Sequence, residues 1–154
     1  MKINILAFGE FGNSAEKKIF DEFVKRIKGK VELKELNIKN SKNFSVEEQK
    51  TKEAEIINNN IQKNQIVIAL DENGVELSSV EFASSINKFH ISGNSSFTFI
   101  IGGANGLSKD IIKKSHLVLS LSKMTLPHIL VRIFLIEQIY RAQSIIANHP
   151  YHRS

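Results

Sequence analysis

Short runs of β-branched and aromatic residues alternate along this chain with segments whose apolar positions recur every three to four residues. That alternation predicts an α/β fold with a mainly parallel sheet flanked by helices. Residues 2–8 read as the first strand, closed by Gly9. Asn13 or Ser14 is placed to cap a helix through about Lys28, with Ile19, Phe20, Phe23, Val24 and Ile27 as its apolar stripe. Residues 31–38 alternate as a second strand, and residues 39–45 form a polar, mobile loop. From Val46 to about Asn64 the period is helical but thinly apolar, which predicts a solvent-facing helix. Residues 65–70 make a short strand that ends at the turn Asp71-Glu72-Asn73-Gly74. Ser78 or Ser79 opens a helix to about Phe89. Residues 96–101 then form a buried strand that runs into Gly102-Gly103-Ala104-Asn105-Gly106. Ser108 caps a short helix over about 110–114, residues 116–121 are the last strand, and Pro127 suits the first position of a long final helix. No repeat or linker interrupts residues 1–154, so they read as a single domain.

The final helix carries Ile129, Leu130, Val131, Ile133, Phe134, Leu135 and Ile136 around nearly its whole circumference. One face satisfies the sheet; the second predicts a dimer interface, the alternative being a central core helix. Arg132 interrupts the apolar run and needs an anion, a carbonyl or a ligand, so it is either a structural ion pair or a residue of the substrate site. Arg141 has Glu137 four residues earlier, at ion-pairing distance on one helix face. After the helix come His149, Pro150, Tyr151, His152 and Arg153, which combine titratable bases, an aromatic surface and a fixed cation suited to holding a nucleobase. Pro150 between the two histidines breaks helical geometry, and no further ligand accompanies them, so the pattern predicts no metal.

Composition narrows the class. The 154 residues are 42% hydrophobic, enough for one sizeable core. Lys plus Arg number 21 against 16 Asp plus Glu, a net +5 that suits a polyanionic partner without requiring one. The absence of cysteine excludes disulfides and thiolate chemistry. The apolar part of the N-terminus is too short for a signal peptide, and no apolar run is long enough to span a bilayer. A soluble cytosolic protein is expected.

Glycines after a strand let backbone groups approach a ligand, but Gly102-Gly103-x-x-Gly106 departs in spacing and position from the dinucleotide fingerprint. The loop alone is therefore either a ligand loop or a tight turn. Taken together, the segment from Phe99 through the glycines to Leu107, Leu119-Ser120-Leu121-Ser122-Lys123-Met124-Thr125-Leu126-Pro127-His128, Arg132 through Leu135-Ile136-Glu137-Gln138-Ile139-Tyr140-Arg141-Ala142, and His149-Pro150-Tyr151-His152-Arg153 are more specific. They closely resemble the RlmH family, pseudouridine methyltransferases of the ribosomal large subunit in the SPOUT class. The resemblance covers the whole chain and is strongest from Phe99 onward. Relatives often place Lys shortly after the turn glycine, where Val75 stands here.

The resemblance implies a SPOUT-type trefoil-knot α/β fold, a homodimer, and transfer of a methyl group from S-adenosylmethionine to N3 of a pseudouridine in 23S ribosomal RNA. It implies cofactor contacts at Leu70, Gly102, Gly103, Leu121, Ser122, Lys123, Met124, Thr125 and Leu126. For that reaction the chemistry of the tail suggests that Arg153 stabilises charge on a carbonyl oxygen, that His152 or a water takes the proton and that Tyr151 places the base, with Arg132 in or near the substrate site. The competing explanation is a non-catalytic ribosome-binding or assembly factor on the same fold.

Overall fold

The computed structural model describes residues 1–153. Five strands, β1 (Lys2–Phe8), β2 (Lys30–Leu36), β3 (Ile66–Glu76), β4 (Ser96–Ile101) and β5 (Leu117–Ser120), pair in the order β2-β1-β4-β3-β5, and every pairing is parallel. Parallel neighbours require crossovers. Four of these pass through α1 (Ala15–Arg26), α2 (Val46–Asn60), α3 (Ser79–Ile91) and α4 (Lys109–Lys114), and α5 (His128–Ile146) follows the last strand.

The two-residue period of β1 sorts the layers. Ile3, Ile5 and Ala7 join a core with Phe20 of α1, Phe82 and Ile86 of α3, and Leu135, Ile136 and Ile139 of α5. Leu6 and Phe8 point to the opposite face, where Ile57 of α2 and Ile111 of α4 pack with Leu107. Helices thus cover both faces, which is why the strands read as nearly continuous apolar runs. Ser14, Ser45, Ser78 and Ser108 cap α1 to α4 by accepting a backbone N–H three residues on, and Glu48 and Glu81 complete capping boxes at Ser45 and Ser78. Hydrogen bonds from those serines hold both carboxyls below the usual carboxylate range.

Several boundaries differ from the sequence pattern. The strand expected to stop at Leu70 continues to Glu76: Leu70 and Val75 both pair with Leu119, so the expected turn 71–74 is an excursion inside β3. Gly74 permits it, because a Cβ there would lie 2.7 Å from the Leu119 backbone. The polar loop contains a single 3-10 turn at Ser41–Asn43. On α2, Glu53 and Ile57 are buried, so that helix is not simply solvent-facing. On α1, Ile19 remains 48% exposed, which narrows the stripe. Pro127 is the cap residue just before α5 rather than its first turn. β5 starts at Leu117, but His116 prolongs the pairing: its N–H donates to Val67 O (2.8 Å) and its Nδ1 accepts from Val67 N–H (3.0 Å).

Along α5, Leu135, Ile136, Ile139 and Ala142 are buried, while Leu130 and Phe134 face outward at 47% and 45% exposure. The helix therefore keeps the second apolar face that its sequence predicted. The chain leaves one edge of the sheet at β5 and returns through α5 to the end of β1, a path compatible with a knot. Among the described residues, no helix is long and apolar enough to cross a membrane.

Candidate active site

The carboxyl ends of β3, β4 and β5 converge on a cavity of about 360 Å³. Ligands collect at such ends in open parallel sheets because the loops there are free of crossover packing. Leu70, Asp71 and Glu72 of β3 line one side, the 102–106 loop after β4 another, and the 119–126 segment with His128 and Val131 of α5 the rest. Eight of the nine residues expected to contact a methyl donor are together here: Leu70, Gly102, Gly103, Leu121, Ser122, Met124, Thr125 and Leu126. The ninth, Lys123, is exposed and does not line the cavity.

Local hydrogen bonds set both turns. Ser120 Oγ donates to Ser122 O (3.1 Å), and Ser122 Oγ accepts from Met124 N–H (2.9 Å), bracing the turn from within. In the glycine loop, Gly106 N–H donates to Gly103 O (3.1 Å). A Cβ at Gly102 would press on Leu107 at 2.9 Å, and one at Gly103 would run into the Glu53 carboxylate. A Cβ at either position would therefore displace the side chain that packs behind the loop.

Leu70, Leu119, Leu121 and Met124 offer apolar surface suited to a thioether-bearing chain and an adenine ring, and the peptide groups of the turns provide polar edges. Asp71 and Glu72 add two carboxylates, complementary to a positively charged sulfonium donor. Sequence pattern read those two only as turn formers and passed over Asn105 and Val131. Their adjacency to the other lining residues was the one available signal.

Arg132 is buried, at 1% exposure. Its NH2 donates to Phe8 O (2.7 Å) and Gly9 O (3.0 Å), its NH1 to Glu35 Oε1 (3.2 Å), and the guanidinium lies 4.9 Å from the Phe11 ring centre. Burial lowers its pKa against the opposing pull of Glu35. The side chain bolts α5 to the ends of β1 and β2. It also borders a second cavity of about 340 Å³, which shares Gly103, Ala104 and His128 with the first.

The tail folds back on α5. Tyr151 OH donates to Glu137 Oε1 (3.0 Å), its ring meets Tyr140 edge-on at 4.6 Å, and Arg141 sits 4.8 Å over it. Arg141 also pairs with Glu137 at 2.6 Å, as the spacing predicted. Arg141 NH1 lies 3.3 Å from His152 Nδ1. A guanidinium has no acceptor, so this contact makes Nδ1 the acceptor and puts the neutral ring's proton on Nε2. Arg153 is exposed.

The tail docks against the middle of α5, at Glu137, Tyr140 and Arg141, while the 360 Å³ cavity meets the helix at His128 and Val131. From His128 to Glu137, nine residues on, the helix rises about 14 Å. Among the described residues, no group of three or more His, Cys, Asp or Glu is arranged to hold a metal.

Burial first, and then the bond to Glu137, raise the Tyr151 pKa. A phenol raised in the folded state adds stability that is fully present below its unfolded value of about 10 and is lost as pH rises through the folded value. With Tyr140→Phe leaving Tyr151 the one tyrosine, tyrosinate absorbance should titrate above the free value and move down in Glu137→Gln. A midpoint at or below the free value would contradict the docked tail.

A family model described as "Predicted SPOUT methyltransferase" matches residues 1–152. A protein of Clostridium tetani called "Ribosomal RNA large subunit methyltransferase H" is 40% identical over 99% of this chain and 100% of its own length. One of the same name from Flavobacterium psychrophilum is 41% identical over 99% of both. A solved structure of "a probable methylase family protein from Haemophilus influenzae" superposes with a TM-score of 0.54 at 13% identity, covering 99% of this chain and 70% of that one, and so shares the fold. With a parallel sheet, a cavity at its carboxyl edge and a family match over nearly its whole length, this chain belongs to the SPOUT methyltransferase family.

Proposed function

We propose that this protein methylates N3 of a pseudouridine in the large-subunit ribosomal RNA, with S-adenosylmethionine as donor, and that it works as a homodimer. The observation that carries the proposal is the cavity in which the glycine loop, the 121–126 turn and Leu70 meet. A protein that only bound ribosomes would have no use for it. The near-full-length relatives named as large-subunit ribosomal RNA methyltransferases support the substrate class.

In the reaction, N3 of the base loses its proton and its electron pair attacks the methyl carbon. The carbon–sulfur bond breaks and S-adenosylhomocysteine leaves. Holding the two reactants in line contributes roughly 7–11 kcal/mol. The protein must also stabilise the anion that deprotonation spreads onto the carbonyl oxygens, a role that suits the exposed Arg153. His152 in its docked position presents its basic nitrogen to Arg141. It serves as proton acceptor only after leaving that contact; otherwise a water takes the proton.

A tail docked beside Glu137, Tyr140 and Arg141, with none of its described residues lining its own donor cavity, acts on a neighbour. Leu130 and Phe134, exposed beside the cavity end of α5, form the apolar surface on which a second copy docks. Each active centre then combines one protomer's cavity with its partner's tail.

Mass mapping of large-subunit ribosomal RNA from cells with and without the protein tests this function. One methyl group on one pseudouridine should disappear with the gene, and purified protein with S-adenosylmethionine should restore it on isolated ribosomes. Unmethylated RNA in both experiments, with no donor bound by the purified protein at millimolar concentration, would favour the assembly-factor alternative.

A further inference from the structure

Outside the donor cavity, against the back of the glycine loop, α2 presents two polar residues one helical turn apart. Glu53 is a carboxylate at 3% exposure on an otherwise hydrophilic helix. Its Oε2 accepts from Gly103 N–H (3.3 Å), and its Oε1 accepts from Gln49 Nε2 (3.3 Å). Gln49 Oε1 in turn accepts from Asn105 Nδ2 (3.2 Å). Four residues therefore close a chain of hydrogen bonds, Gly103 to Glu53 to Gln49 to Asn105, that brackets the loop at two points.

A carboxylate is costly to bury, and nothing in the packing of α2 demands one: Ile57, four residues on, already seats the helix in the core. A leucine at position 53 would pack more cheaply but would leave Gly103 N–H without an acceptor. With Gly103 O taken by Gly106 N–H, both polar backbone groups of Gly103 are engaged inside the protein. What the loop offers a ligand is then its fixed shape, the remaining lone pair of Gly103 O and the neighbouring peptide groups. A side chain at Gly103 would push the Glu53 carboxylate from its place behind the loop.

We propose that Glu53, seconded by Gln49, is a positioning residue for the methyl donor. The pair grips the 102–106 loop from behind and holds it in the form that S-adenosylmethionine fits, without touching the donor. The assignment rests on the cavity being the donor site, as proposed above. It predicts a specific kinetic signature. Loosening the grip raises the KM for the donor, while kcat at saturating donor and the KM for ribosomes stay put. A proton acceptor at position 53 would do the reverse and lower kcat.

Calorimetric titration with S-adenosylmethionine and steady-state methylation of ribosomes, on the full-length protein, test this with Glu53→Ala, Gln49→Ala and Glu53→Gln. Thermal melting shows which variants are folded at the assay temperature. Glu53→Ala should weaken donor binding at least tenfold and Gln49→Ala three- to fivefold, each with a matching rise in donor KM. Glu53→Gln keeps an oxygen for Gly103 N–H and should stay within about threefold of wild type. A lowered melting temperature with donor affinity unchanged, or a fall in kcat alone, would overturn the proposal. Should Glu53→Ala fail to fold, Gln49→Ala decides by the same criterion. Wild-type protein that binds no donor would instead overturn the functional reading of the cavity, a result distinct from any of these.

Discussion

Deleting residues 151–154 is expected to lower methyl transfer by at least about a hundredfold, the smaller end of what a positioned proton acceptor or charge stabiliser contributes. Binding of S-adenosylmethionine should stay within about twofold of wild type, since no residue of the tail lines the donor cavity. The tail is not a frayed end. Tyr151 is held by Glu137, Tyr140 and Arg141, and His152 by Arg141, so His152 and Arg153 leave the helix from a fixed point. Single-turnover transfer to ribosomes, measured beside a calorimetric titration, separates the two effects. Parallel losses in rate and donor affinity would mean that the tail supports the fold of the cavity instead of its chemistry.

The second large effect concerns stability. Arg132→Met should lower the unfolding free energy by about 3 kcal/mol, the low end for breaking one side of a buried pair. The substitution preserves much of the packing volume but strips the donors from Phe8 O and Gly9 O and leaves Glu35 without its cation. Glu35 is 31% exposed and keeps the Phe11 N–H bond (2.7 Å), so water and backbone soften its loss. The buried Phe8 carbonyl has less relief than that of the exposed Gly9. Arg132→Lys should recover only part, because a point charge cannot reach both strand ends as the planar fork does. Urea unfolding at fixed protomer concentration measures this; a loss below about 1 kcal/mol would show that α5 is held mainly by its apolar contacts.

Much of the fold was legible because the strands are buried on both faces and the helices start at serines. β1 and β4 fell where their apolar runs lie, and Ser14, Ser78 and Ser108 cap the helices that follow them. Asp71-Glu72-Asn73-Gly74 misled for a physical reason. Turn-forming residues mark a local reversal, and only tertiary pairing of both Leu70 and Val75 with Leu119 shows that the strand resumes. The buried side of α2 escaped notice because its apolar contact is short, centred on Ile57 with Ala54 and Ile56, and the other buried residue, Glu53, is one that no hydrophobic period reports. Arg132 was legible as a residue in need of a partner, but Glu35 and two strand-end carbonyls, about a hundred residues away in sequence, could not be named from spacing. The residues expected to hold the donor were named by resemblance, and eight of them line the cavity; the glycine loop alone was ambiguous. Their meeting in one cavity follows from strand order, which places the ends of β3, β4 and β5 side by side.

Mixed dimers test the shared active centre most directly. Subunits lacking residues 151–154 keep the cavity; subunits with Ser122→Trp, which fills the cavity, keep the tail. Each homodimer should be inactive. Unfolded together and refolded at equal amounts, the two should regain about one quarter of wild-type methyl transfer, because half of random dimers are mixed and each mixed dimer restores one of its two sites. No recovery, with mixed dimers demonstrably formed, would contradict a centre built from one subunit's cavity and the other's tail.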